Sequence, residues 1–588
     1  MRSALGAALV ALLVALTGCV NADAPTGKPP ADTPAPTGPT EAASPPTLDT
    51  AGPHHVLKPP RGSHARVQEG MDWSLPAWVR PAAFSGFYSE QDSPGDQIYV
   101  RSVDVSWAQV RPRETGPLDL EAFGDAQGMS FDSLHSQLAE PGPYWVRMFS
   151  SGVDWAPAWV ADKCGVAAIG TDYDGQDHLP LWDECVWTEL AETWRMLLRD
   201  EGILADPDFR FAYVPGGFTW SEFDYEMMSS AVEAGALDEA TYLAWFDRML
   251  TDLAEIAGPQ VGRLVFTGED YPWGPFGGAE NLLAGEAVAR GFGVRNGITE
   301  EFNFHLNETP AYRSSIRPDG HLVVADSWLD DPAPPGAEQV VGTENECFVD
   351  CGFNSLDPAY VMTMANLKAL QLRMNWLYVV PGPSLMDIEP AHWDWMRLSL
   401  GQRPQTAADA WVALREAEDR YWADQRGPFT GGRRWATRPW TRNFERWVEQ
   451  VDTPGAVAHR TEVDVHRRDP TRENGTSYEG LRTDVASGNS ALAFRIDRRF
   501  LATGRSHDVV IQVTYFADEA DGFRVQTPRR LSPTVRVGSE GGWHTASFRL
   551  RLQPGRTLAD GSDFRVLTEG GDLSVRMVRV IRLDAPRR

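Results

Sequence analysis

Acidic side chains stand beside tryptophans again and again in the first 430 residues. Asp104 precedes Trp107, and after the basic Arg147 come Asp154, Trp155 and Trp159. Trp220 lies two residues before Glu222, Asp270 three before Trp273, and Asp326 two before Trp328. Glu344 and Glu346 flank Asn345, and Asn375 and Trp376 follow later. Two carboxyl groups held in one pocket, one protonated and one ionised, can act as a general acid and a nucleophile or base. Indole faces stack on the C–H faces of pyranose rings, while carboxylates accept hydrogen bonds from sugar hydroxyls. The chain holds 22 tryptophans in 588 residues, so most must pack in the core, but the surplus fits sugar contact. Trp220 beside Glu222 would desolvate that carboxyl and raise its pKa, which suits an acid. Glu344 and Glu346 share one strand parity, so one is a candidate nucleophile and the other a ligand to hydroxyls. The plain alternatives are solvated loop acids for the glutamates, packing for the tryptophans and a structural ion pair for Arg147.

These residues must be brought together by the elements that carry them. Strand candidates are residues 97–107, 144–149, 209–214, 263–268, 321–326, 339–343 and 376–380, with an eighth near 74–88. Between them lie stretches with apolar residues at helical spacing, such as 187–200, 241–257 and 359–374. Apolar runs alternating with helices indicate a parallel sheet, and eight of them a closed (β/α)8 TIM barrel over about 66–430. Catalytic groups of such barrels sit at the C-terminal strand ends. Beyond about residue 441 the pattern changes to alternating strands (491–497, 507–516, 522–527, 544–552, 563–568 and 573–583) separated by turns. That pattern predicts an antiparallel β-sandwich, jelly-roll-like, over 441–588. The α/β barrel followed by this sandwich is the expected fold class.

Two segments resemble a known family. SWAQVRPRETGPLDLEAF (106–123) is similar to the W-x-x-l-x-P-x-x-G-x-y-d segment of retaining clan-A glycoside hydrolases, with the beta-galactosidase family 42 nearest in character. WVRMFSSGVDWAPAWV (145–160) resembles that family's third strand, ending in P-A-W. The segment GGFTWSE also resembles bacterial barrel proteins related to these hydrolases. The resemblance implies an acid/base Glu after strand 4, matched by Glu222, and a nucleophile after strand 7, matched by Glu344 or Glu346. It departs from the family in having Ser221 where Asn normally precedes the acid. Asp104, Trp107, Arg147, Trp155, Trp220, Asp270, Asp326, Trp328, Asn375 and Trp376 become substrate-binding candidates.

Residues 1–18 carry Arg2, an apolar run and small residues, the pattern of an export signal. Leu16-Thr17-Gly18-Cys19 resembles a bacterial lipobox, which implies lipidation of Cys19. Residues 19–65 are rich in Pro, Thr and Ala and read as an extended tether. An extracytoplasmic, membrane-anchored protein follows. The four remaining cysteines are even in number, so two disulfides are expected in an oxidising compartment. Three connectivities exist, and proximity favours Cys164–Cys185 and Cys347–Cys351.

A net charge of −28 repels phosphate backbones, which argues against nucleic acid as partner. After the first 20 residues no apolar run of about 18 or more occurs, which excludes multiple membrane spans. No His/Asp/Glu cluster has metal-ligand spacing and no Gly-rich phosphate loop follows a strand, so neither metal nor cofactor is expected. No GxSxG turn announces a serine hydrolase. The first expectation is a lipoprotein glycoside hydrolase cleaving a β-linked oligo- or polysaccharide with retention. The second is a carbohydrate-binding lipoprotein with a degenerate barrel, and the third a structural envelope lipoprotein. Oligomeric state is not legible.

Overall fold

The chain is described by a computed structural model that covers residues 54–61, 64–82, 84–88, 99–126, 129–172, 175–216, 225–267, 273, 282–296, 312–324, 338–345, 358–379, 389–415, 443–463, 478–517, 520–539 and 541–585. Cys19, and the tether up to residue 53, lie outside the described residues.

Continuous apolar runs buried on both faces form a central sheet, as expected of parallel strands. Its strands are β1 (Gly86–Tyr88), β2 (Tyr99–Ser106), β3 (Tyr144–Phe149), β4 (Phe209–Val214), β5 (Leu264–Phe266), β6 (Gly293–Asn296), β7 (Val341–Asn345) and β8 (Trp376–Val379). Each pairs in parallel with the next, and β8 pairs with β1, closing an eight-stranded barrel. Strands β3 and β4 coincide with the sequence expectation.

The sixth strand does not. Residues 321–326 were expected there, but Leu322–Val324 pairs antiparallel with Ser314–Ile316 in a separate hairpin. The turn at Asp319-Gly320, with Gly320 at φ +88°, lets the chain reverse instead of crossing to the barrel. Gly293–Asn296 takes the place. A Cβ at Gly293 would meet the Val340 carbonyl oxygen at 2.8 Å and that of Gly262 at 2.9 Å, so only glycine admits this close backbone approach.

Helices occupy the connections after β3 (Ala158–Cys164, Glu184–Arg195), β4 (Tyr225–Glu233, Glu239–Ala257), β5 (Leu282–Ala289), β7 (Pro358–Gln371) and β8 (Pro390–Ser399). After β2 the longest helix is Leu134–Ala139, the β1–β2 connection lies outside the described residues, and the described residues between β6 and β7 carry no α-helix. The closed parallel barrel is therefore met, while among the described residues a regular helix after every strand is not. Asp183 caps Glu184–Arg195, its Oδ1 accepting from the Cys185 and Val186 backbone N–H groups at 2.9 and 3.1 Å. That helix buries Val186, Trp187, Leu190 and Trp194. Cys185 in its first turn is bonded to Cys164 at the end of the preceding helix, with Cα atoms 5.5 Å apart. The first expected disulfide is thus present, while Cys347 and Cys351 lie outside the described residues. Among the described residues no helix is long and apolar enough to cross a membrane.

Beyond the barrel, two antiparallel sheets enclose a second core. One carries Trp543–Leu552, His507–Phe516 and Ser574–Arg582, and the other Ala491–Ile496, Phe564–Glu569 and Gly522–Thr527. Alternate residues point inward, so Ile511, Val513, Phe548 and Val578 of one sheet meet Phe494, Phe523, Val525 and Phe564 of the other. Two strands from before residue 441 join the first sheet. Arg66–Glu69 forms its edge, and Asp409–Ala413 pairs between Ser574–Arg582 and Phe444–Arg446.

A polar joint connects this sheet to the barrel's last helix. Arg579 binds Asp409 through Nε (3.0 Å) and Nη2 (2.6 Å), and Asp409 Oδ2 also accepts from the Trp395 indole at 2.9 Å. His392 is fully buried beside them, its ring 4.4 Å from that of Trp73. Burial, with a smaller push from the Arg579 charge, lowers the His392 pKa to about 3.

Candidate functional site at the barrel mouth

The lower barrel is filled, not hollow. Trp145, Phe211, Val265, Val340 and Trp376 pack inside it with Tyr88, Tyr213 and Tyr378. Tyr88 and Tyr378 stack with centroids 5.4 Å apart, and the Tyr213 hydroxyl donates to that of Tyr88 at 3.1 Å. Bulky aromatic layers fix the strand ends above them as a rigid frame.

Polar residues follow toward the C-terminal ends. Asp104 on β2 and Arg147 on β3 are in register. Arg147 donates from Nε to Asp104 Oδ1 (3.2 Å) and from Nη2 to Asp104 Oδ2 (2.8 Å). Its side chain is 2% exposed and that of Asp104 19%, so the carboxylate is the more open partner. The Arg147 guanidinium also lies 4.8 Å from the Phe149 ring centroid. Arg295 on β6 is buried, its guanidinium 5.8 Å from the Tyr213 ring and 5.9 Å from that of Tyr378. Sequence reading missed Arg295, because a short polar Gly-Val-Arg-Asn strand carries no apolar signature.

Strand β4 ends at Val214, and Gly216 follows at φ +77°, where a Cβ would meet the Met148 carbonyl oxygen at 2.5 Å. The Ser150 hydroxyl donates to the Gly216 carbonyl at 2.6 Å and the Trp194 indole to that of Pro215 at 2.8 Å. The end of β4 is thus tied to β3 and to the outer helix, just before the segment that holds Trp220 and Glu222. Those two residues lie outside the described residues, as do Asp270, Asp326, Trp328 and Glu346. Glu344 is the fourth residue of β7, its Cα in register with that of Tyr378.

Other candidates have structural roles. Trp107 is fully buried, and its indole donates to Thr193 Oγ1 at 2.8 Å, pinning β2 to the outer helix. Trp155 is 2% exposed and packs on Phe149 and Phe131. Asn375 and Trp376 were grouped with the strand ends, but they open β8 instead of closing it. Asn375 Oδ1 accepts from the Val341 N–H at 2.8 Å, and its Nδ2 donates to the Gln339 carbonyl at 3.2 Å. Both therefore belong to the N-terminal end of the barrel, away from Asp104 and Arg147.

A second arrangement had no sequence signal. The Ser151 hydroxyl is 2.8 Å from His178 Nδ1, and His178 Nε2 is 2.7 Å from Asp172 Oδ2. These residue types are those of a hydrolytic triad, but Ser151 and His178 have no exposed surface. Asp172 Oδ1 accepts from the Gln176 N–H at 2.8 Å. The chain of bonds braces the long loop after β3, where a buried polar network fixes one conformation.

No family model matches the chain, and no curated protein matches it. A solved structure, the catalytic unit of a thermostable GH87 alpha-1,3-glucanase from Streptomyces thermodiastaticus strain HF3-3, is similar over 24% of this chain and 26% of its own. The identity is 14% and the TM-score 0.14, a likeness too slight to assign this chain a family.

Proposed function

We propose that the protein is an extracytoplasmic lipoprotein with a (β/α)8-type barrel that hydrolyses a β-linked oligo- or polysaccharide with retention. The observation that carries this reading is the closed parallel barrel itself. Its fourth strand leads into the segment holding Glu222, and its seventh strand bears Glu344 one residue from its end. Glu222 is the acid/base, and Glu344 or Glu346 the nucleophile. Retention needs the two carboxyl groups about 5–5.5 Å apart. In this reading Trp220, two residues before Glu222, has the role of desolvating that carboxyl, and Asp104 at the mouth that of accepting sugar hydroxyls. Asp270, Asp326 and Trp328 are the further sugar-binding candidates. A Cys347–Cys351 bridge would hold the loop after β7, and the Cys19 lipid would tether the body through the Pro/Thr-rich stretch up to residue 53, since Leu57 is already buried against Val510 and Ile581.

A panel of aryl β-glycosides and of plant and algal polysaccharides tests the activity, with Glu222→Gln as control. Turnover that the control loses supports the reading. Oligosaccharide binding without turnover of any substrate replaces it with the non-catalytic carbohydrate-binding protein. Anchoring is tested separately, since Cys19→Ala should release the protein from membranes. A variant that still sediments with them after a high-salt wash would refute the anchor.

A further inference from the structure

The β-sandwich has its own cleft, where the strand ends of its two sheets meet. A small, solvent-open cleft lies between the turn after Gly522–Thr527 and the chain leaving Trp543–Leu552. Three arginines line it, Arg529 from the first turn, Arg551 from the strand and Arg556 from the second turn. All three are exposed, and none has a side-chain hydrogen bond or ion pair among the described residues. The lining carboxylate, Asp563, is already satisfied. Its Oδ1 accepts from Arg498 at 2.8 Å and its Oδ2 from the Ile496 N–H at 2.8 Å.

Three arginines without an acidic partner among the described residues thus line one cleft of a chain whose net charge is −28. Arginine is well suited to planar, two-pronged recognition of carboxylate and sulfate-like groups. A fourth lining group adds a different demand. Gln553 Oε1 accepts no hydrogen bond among the described residues, so its acceptor capacity is unused. An anion alone offers it nothing, because it needs a donor such as a hydroxyl. A ligand that carries both an anionic group and hydroxyls satisfies all four side chains.

We infer that this cleft binds an acidic saccharide, its carboxylate or sulfate on Arg529, Arg551 and Arg556 and a hydroxyl on Gln553. The site lies outside the barrel and holds whether or not the barrel hydrolyses glycosides. Attraction between these arginines and an anion is electrostatic, so added salt weakens it.

Isothermal titration of the full chain tests the assignment with three oligosaccharides of equal length: a galacturonate oligomer, its neutral galactose counterpart and a sulfated oligomer. The acidic oligomers should bind and the neutral one should not. Preference between the two acidic oligomers identifies carboxylate or sulfate as the anion. The triple variant Arg529→Ala/Arg551→Ala/Arg556→Ala should weaken binding by at least about tenfold, with an unchanged melting temperature because all three side chains are exposed. Gln553→Ala should weaken the saccharide and leave inorganic sulfate unaffected. Equal binding of the neutral oligomer, full binding by the triple variant, or displacement by inorganic sulfate at equal concentration would each overturn the inference, as would failure of every oligomer to bind. Turnover by the barrel is measured separately, so the two readings fail independently.

Discussion

Arg147 and Asp104 face each other across adjacent barrel strands in a two-pronged ion pair, with the guanidinium nearly sealed from water and the carboxylate partly open. Removing the carboxylate takes the in-register counter-ion from a charge that water cannot reach. Asp104→Ala should therefore destabilise the fold by about 3 kcal/mol. Replacing both together, Asp104→Leu with Arg147→Met, should restore much of the loss. Urea unfolding measures both, and a single variant as stable as wild type would show that the pair contributes nothing.

The acid limb of stability should carry the signature of His392. Its pKa is lowered in the folded state to about 3, against an ordinary value near 6.5. Between those values the unfolded chain binds a proton that the folded chain does not. Stability from this group is complete above about pH 6.5 and declines as pH falls toward 3, by at most about 1.4 kcal/mol per pH unit. His392→Gln should flatten that part of the profile, measured by denaturant midpoints from pH 7 to 4. An identical slope in the variant would exclude the residue as the source.

The bond between Cys164 and Cys185 spans 21 residues of sequence and joins two successive helices. Opening it frees that loop in the unfolded chain. Cys164→Ser with Cys185→Ser should cost about 3 kcal/mol. Equal melting temperatures for the variant and the oxidised wild type would contradict this.

Glu222 and Glu344 should fail in different ways on a verified substrate. Loss of the nucleophile removes the covalent step, so Glu344→Gln depresses turnover on every substrate. Loss of the acid/base harms most those substrates whose leaving group needs protonation, so Glu222→Ala spares the first step with acidic aryl leaving groups. Added azide then restores turnover of the glycosyl-enzyme. Glu346→Gln, if Glu346 only holds a hydroxyl, weakens catalysis without abolishing the covalent intermediate. Wild-type rates in all three variants would remove these residues from the mechanism.

What could be read from the sequence follows burial. Tyr144–Phe149 and Phe209–Val214 were legible as strands because both of their faces are apolar or aromatic. Gly293–Asn296 was not, because it carries Arg295 into the barrel and a glycine where backbones touch. The more apolar 321–326 drew the assignment, although the preceding Pro-Asp-Gly turn signal pointed to a hairpin. Within the site, an ion pair for Arg147 was legible, but not that Asp104 is its partner, since register between strands is not written in either one. Trp107 and Trp155 share the composition of sugar platforms, and only three-dimensional packing shows them to be core residues. The Ser151–His178–Asp172 brace depends on a loop folding back on itself and has no local spacing to betray it.

The edge strand Arg66–Glu69 has a kinetic consequence. It lies against Trp543–Leu552, and a little further on the Trp78 indole donates to the Leu583 carbonyl at 3.0 Å, across 505 residues of sequence. The beginning of the folded body is thus sewn to its end. During synthesis the barrel can close while the sheet still waits for its final strands, and the early strand stays unpaired until then. Contacts of such sequence separation pay their loop-closure entropy late, so the last and slowest event in folding should be the docking of this strand, after both cores have formed.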